Sequence, residues 1–107
     1  MSVESDYCVI MTTAGSQEEA DRLAGALVEQ RLAACVQIIG INSCYVWDGQ
    51  VQKEPELLLL IKTQSERYEQ IEQFITQNHS YDVPEIVQLP ISRGLGGYLS
   101  WIQEHTT

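Results

Sequence analysis

Apolar residues recur along this chain in two ways: short unbroken runs, and stretches stepped by three and four. The first half reads YCVIMTT, then SQEEADRLAGALVEQRL, then AACVQIIGI. The second reads ELLLLIKT, then SERYEQIEQFITQNH, then PEIVQLPI. Each half is an apolar run ending in Thr, a Ser with an acidic first turn, an amphipathic stretch and another apolar run. Ala20, Leu23, Ala24, Leu27 and Val28 share one face of a helix, as do Tyr68, Ile71, Phe74 and Ile75. Ser16 with Glu19 reads as a capping box, and Thr63 with Glu66 as a second. The flanking runs, rich in Val, Ile and Leu, have strand length and composition.

A βαβ unit repeated once and joined by a hairpin is the split βαβ, or ferredoxin-like, pattern of the α+β class. At this length residues 1–107 form one domain. The join is YVWDGQVQ, where Asp48-Gly49 supplies the positive φ angles of a tight hairpin turn. The extended run from Val36 to Trp47 would reach roughly 40 Å, about twice a usual strand. Gly40 offers a place for a bulge, and Pro55 confines its strand to an edge or to the region beyond the sheet. A long β-hairpin carrying Tyr45 and Trp47 has no reason to stand alone in water, so the reading is that it embraces another subunit. Gly94, Gly96 and Gly97 then punctuate a loop before a short C-terminal helix bearing Tyr98, Leu99, Trp101 and Ile102.

Charge narrows the partners. With 15 acidic against 6 basic residues the net charge is −9, which disfavours nucleic acid and anionic membrane surfaces. The longest purely apolar run, Leu57–Ile61, is far too short for a bilayer span. The beginning MSVESDYCVIM lacks the pattern of a signal peptide, and Cys8, Cys35 and Cys44 have no C-x-x-C spacing. The expectation is a cytoplasmic protein with reduced thiols.

Little in the chain looks catalytic. H-E-x-x-H, paired Cys/His spacings, Walker and Rossmann glycine patterns are absent, and no nucleophile constellation stands out. The densest chemistry is QNHSYDVPEI, residues 77–86. His79 at a helix C-terminus has a plain account, since the helix dipole favours an imidazolium there. Alternatively His79, Asp82 and Glu85 converge as ligands for Cu(II) or another divalent cation. Lys62 ends a strand whereas His79 ends the helix that follows, so one site containing both requires a neighbouring subunit.

RLAACVQI, SCYVWDGQVQKEPELLLLIKT, HSYDVPEI and YLSWI together resemble the CutA divalent-cation tolerance family, over residues 6–103. The resemblance implies a ferredoxin-like subunit in a homotrimer whose hairpins pack across neighbours, and a link to copper and other divalent ions. Of the copper ligands proposed for the family, the positions fall at Thr12, Asn78 and His79, so only the last keeps its ligand type. Recurring family positions also include Trp47, Lys62, Tyr81, Glu85, Tyr98 and Trp101. Lys62, Tyr81, Tyr98, Trp47 and Trp101 together suit a small-molecule cleft, because the trimer resembles the PII signalling proteins that bind effectors between subunits. A metal-tolerance binding protein, an effector sensor and a structural or adaptor trimer are the three readings.

Overall fold

A computed structural model describes residues 5–107. Strand β1 (Tyr7–Ala14) leads into helix α1 (Gln17–Glu29), which returns through β2 (Cys35–Trp47). A tight turn gives β3 (Gln50–Gln64), helix α2 (Tyr68–Asn78), β4 (Ile86–Pro90) and helix α3 (Gly96–His105). The four strands are antiparallel in the order β2-β3-β1-β4, the ferredoxin-like order expected from the repeat. Ile10, Leu59 and Ile61 on one sheet face meet Leu23 and Leu27 of α1 and Ile71 and Ile75 of α2, all fully buried. Burial follows the periodicity of both helical stripes except at Val28, which is exposed at the end of α1.

Local chemistry sets the element ends. Ser16 Oγ accepts the Glu19 amide at 3.1 Å and caps α1, but only this half of the expected box forms, because the Glu19 carboxylate accepts from Gly15 and Ser80 instead. At the other end Arg31 takes a left-handed conformation (φ 60°), and the amides of Arg31 and Leu32 bond the carbonyls of Val28 and Leu27. That is a Schellman closure without glycine. The Arg31 guanidinium in turn donates to the carbonyls of Glu104 and Thr107, clasping the end of α3. The second capping box does not form. Thr63 lies within β3 and donates to the Leu32 carbonyl at 2.6 Å, and α2 begins instead through a 3-10 turn over Ser65–Arg67.

The hairpin turns at Asp48 and Gly49, with φ of 52° and 73°, and Trp47 faces Gln50 across it. Pairing runs unbroken from Cys35↔Lys62 to Trp47↔Gln50, so Gly40 sits opposite Leu57 in regular register and no bulge forms there. β1 reaches only as far as Leu57, so everything from Glu56 to the turn pairs with β2 alone. Pro55 falls in this free ribbon, where its missing N–H faces no third strand. Trp47 and Val46 are each 69% exposed and Val51 65%. The sheet face turned away from α1 and α2 is uncovered over most of its area, and Ile39, Val87 and Leu89 are exposed upon it.

Candidate functional site

His79 does not point outward to solvent. Its side chain is fully buried, with Nε2 at 2.6 Å from the Thr13 carbonyl and Nδ1 accepting the Tyr81 amide at 3.0 Å. Because the Tyr81 N–H can only donate, Nδ1 must be the bare nitrogen and Nε2 the protonated one. Both ring nitrogens are therefore occupied by the backbone, one as donor and one as acceptor. The segment is drawn in by Glu19 as well. The Glu19 carboxylate accepts the Ser80 amide at 2.8 Å, the Ser80 hydroxyl at 3.0 Å and the Gly15 amide at 3.4 Å. Arg22 stands 3.8 Å from the same carboxylate and donates to the Asn78 carbonyl. Burial pushes the Glu19 carboxyl up, but the two Ser80 donors, with the Gly15 amide, outweigh it. The net result is a carboxyl held below its ordinary value of 4.5.

Tyr81, thus anchored, turns its hydroxyl to Glu56 at 2.9 Å. The approach is close: a Cβ on Gly15 would lie 3.1 Å from the phenol oxygen. Burial first, and then the bond to the Glu56 carboxylate, push this phenol up to about 12. Tyr45 makes a parallel pairing with Glu54 at 3.0 Å. Between the ribbon and the segment from Ser80 to Glu85 lies a groove of about 780 Å³. Glu54, Glu56, Asp82 and Glu85 give it its charge, Tyr45, Trp47 and Tyr81 its aromatic surface, and no Lys or Arg lines it. Cys44 opens onto it as a free, exposed thiol.

The residues singled out from the sequence thus divide between two places. Trp47, Tyr81, Asp82 and Glu85 share the groove. Lys62, Tyr98 and Trp101 lie at the other end of the sheet, where the Lys62 ammonium stands 5.6 Å from the Tyr98 ring centre and Tyr98 stacks on Trp101 at 5.7 Å. The five expected cleft residues do not share one cleft within the chain, because the register puts Lys62 opposite Val9 whereas Tyr81 approaches Gly15 beyond the end of β1. The expected ligand trio is not assembled either. His79 is turned into the core, away from the groove that Asp82 and Glu85 line. Among the described residues no group of three His, Cys, Asp or Glu side chains is placed to hold a metal ion. Thr12, at one proposed family ligand position, is fully buried with its hydroxyl unpaired.

Glu19 is the residue that sequence reasoning missed. It precedes Leu23 by four positions and so falls on the buried stripe of α1, a signal that was available. Glu54 and Glu56 were missed too, though their alternation with Pro55 places both on one ribbon face.

Comparison with known proteins agrees with this architecture. Residues 8–105 match the family described as CutA1 divalent ion tolerance protein. The chain is similar to the divalent-cation tolerance protein CutA of Thermus thermophilus, 46% identical over 99 residues that cover 92% of this chain and 96% of that one. It is 42% identical to the chloroplastic protein CutA of Arabidopsis thaliana, covering 92% of this chain but 54% of the longer plant protein. Among solved structures, the periplasmic divalent cation tolerance protein CutA from Archaeoglobus fulgidus superposes with a TM-score of 0.93. Its identity is 40%, and the match covers 94% of this chain and 99% of that one.

Proposed function

We propose, for a chain that belongs to the CutA1 divalent ion tolerance family, a homotrimeric cytoplasmic protein that binds divalent cations rather than catalysing a reaction. The observation that carries the cation reading is the groove whose charged lining is entirely carboxylate. Asp82 and Glu85, both exposed at its mouth, are the ligands of choice. Two carboxylates with retained waters suit a hydrated divalent ion. Cu(II) leads by the general affinity order, with no imidazole needed. His79 has the separate task of fixing the segment that carries them.

The assembly reading rests on apolar surface. Ile39, Val87 and Leu89 on the uncovered sheet face and Val46, Trp47 and Val51 at the ribbon end are exposed large apolar side chains of the kind that mark an interaction surface. Three as the number of copies comes from the family resemblance. The three free cysteines favour a reducing compartment.

The test is a Cu(II) and Mn(II) titration of the wild type, Asp82→Asn/Glu85→Gln, His79→Gln and Cys44→Ser, at salt high enough to screen diffuse charge. Loss of binding in the double carboxylate variant, with retention in the other two, is expected. Loss in His79→Gln with retention in the carboxylate variant refutes the proposed site.

A small-molecule effector is the second reading, favoured by a groove volume inside the range of about 300–1,000 Å³ usual for ligand pockets and by its aromatic lining. Thermal shift with cationic metabolites tests it, and no shift above salt controls removes it.

A further inference from the structure

The groove between the ribbon and the segment from Ser80 to Glu85 carries its charge in separate places along an aromatic surface. Directly opposed residues of an antiparallel pair share a face, and alternate residues of a strand stay on it. Tyr45 and Trp47 of β2 therefore share a face with their partners Gln52 and Gln50, and with Glu54 and Glu56 of β3. Glu54 and Glu56 follow one another at about 6.6 Å along the strand. Each is drawn to a different phenol, Glu54 to Tyr45 at 3.0 Å and Glu56 to Tyr81 at 2.9 Å. Neither pairs with a Lys or Arg of the described residues.

Both phenols are raised from their ordinary value of 10.0, Tyr45 by its bond to Glu54 and Tyr81 by burial and then its bond to Glu56. Each remains a neutral donor that aims a carboxylate without cancelling its charge. Among the described residues Glu54 and Glu56 do not meet a third ligand around one point, so they are not set out to coordinate a metal ion. Two carboxylates one pleat repeat apart instead match the spacing of the two ammonium groups of an extended diaminobutane unit. Beyond Glu54 the same face continues over Tyr45 to Trp47, both exposed. Aromatic faces attract ammonium groups and cover the methylenes between them. With a volume of about 780 Å³ and no Lys or Arg in its lining, the groove has room for an extended organic cation and nothing to repel it.

We infer that this groove binds linear aliphatic polyamines, two ammonium groups seated on Glu54 and Glu56 and the next stretch of chain laid along Tyr45 toward Trp47. The inference rests on the small-molecule reading above and names its ligand class, while Asp82 and Glu85 keep the divalent ion at the mouth. A monoamine gains only one of the two carboxylates. An anion is repelled by all four.

Calorimetric titration of the full chain with butylamine, diaminoethane, diaminobutane and spermidine tests this. Diaminobutane should bind about fivefold tighter than butylamine, the gain of one further exposed ion pair. Diaminoethane, too short to span both carboxylates, should stay close to butylamine, and spermidine should bind tightest. Glu54→Gln/Glu56→Gln keeps an acceptor for each tyrosine hydroxyl and should erase the advantage of diaminobutane. Trp47→Ala should remove the further gain of spermidine and leave that of diaminobutane. Equal affinity for diaminoethane and diaminobutane, or a double Gln variant that binds diaminobutane as the wild type does, overturns the seating. Amine binding lost only in Asp82→Asn/Glu85→Gln overturns it too, and leaves the small-molecule reading standing at the mouth. No binding of any amine overturns both. The length series is read on the wild type, so the test survives a variant that fails to fold.

Discussion

Removing the Glu19 carboxylate should loosen the whole segment from Asn78 to Asp82. Glu19→Ala deletes the acceptor for the Ser80 amide and hydroxyl and for the Gly15 amide. Hydrogen bonds to a charged acceptor contribute about 1.5–3 kcal/mol each, but Ser80 is exposed and water replaces part of what it loses. The net cost is about 2–3 kcal/mol. With a urea slope of about 1.5 kcal/mol/M, the unfolding midpoint falls by about 1.3–2 M. Protein concentration must be held constant, because assembly contributes to apparent stability. Acid titration separates the charge from the shape. The Glu19 carboxyl is lowered in the folded state, so the unfolded chain binds more protons as pH falls. Its stabilising contribution is complete above the ordinary value of 4.5 and is lost as pH drops through the folded value. Glu19→Gln should therefore be less stable than wild type at pH 7, with the gap closing in acid. A Glu19→Ala midpoint equal to that of wild type, or a wild type–Gln gap constant from neutral pH down to pH 3, refutes the latch.

Two further substitutions test local assignments. Thr12→Val removes a buried hydroxyl that has no partner among the described residues and should stabilise the fold by about 1 kcal/mol, read by urea melting. At Arg31 the left-handed backbone and the α3 clasp can be separated: Arg31→Ala keeps the strain and loses the clasp, whereas Arg31→Gly loses both. The glycine variant should be the more stable of the two by about 1 kcal/mol in the same assay.

The repeat, the helical stripes and the Asp48-Gly49 turn were readable because each rests on local physics. Side-chain period follows backbone geometry, and a turn residue needs its φ angle whatever surrounds it. The second cap failed because the Thr63 hydroxyl donates to the Leu32 carbonyl, an acceptor 31 residues earlier in the chain. His79 illustrates the same limit at the site. A histidine at a helix end can face solvent or core with equal local ease, and the choice fell to the Thr13 carbonyl and the Tyr81 amide.

The alternation of Glu54, Glu56, Leu58, Leu60 and Lys62 was in the sequence from the start, and so was the sharing of one strand face that it dictates. Which face the helices would cover was not, because that depends on how α1 and α2 pack across all four strands. The tertiary structure alone decided that the charged face is the open one, that Glu19 reaches across to Ser80, and that the expected metal trio divides. Each of these is a contact between residues far apart in the chain, and spacing along a chain carries no information about such distances until the sheet has set its register.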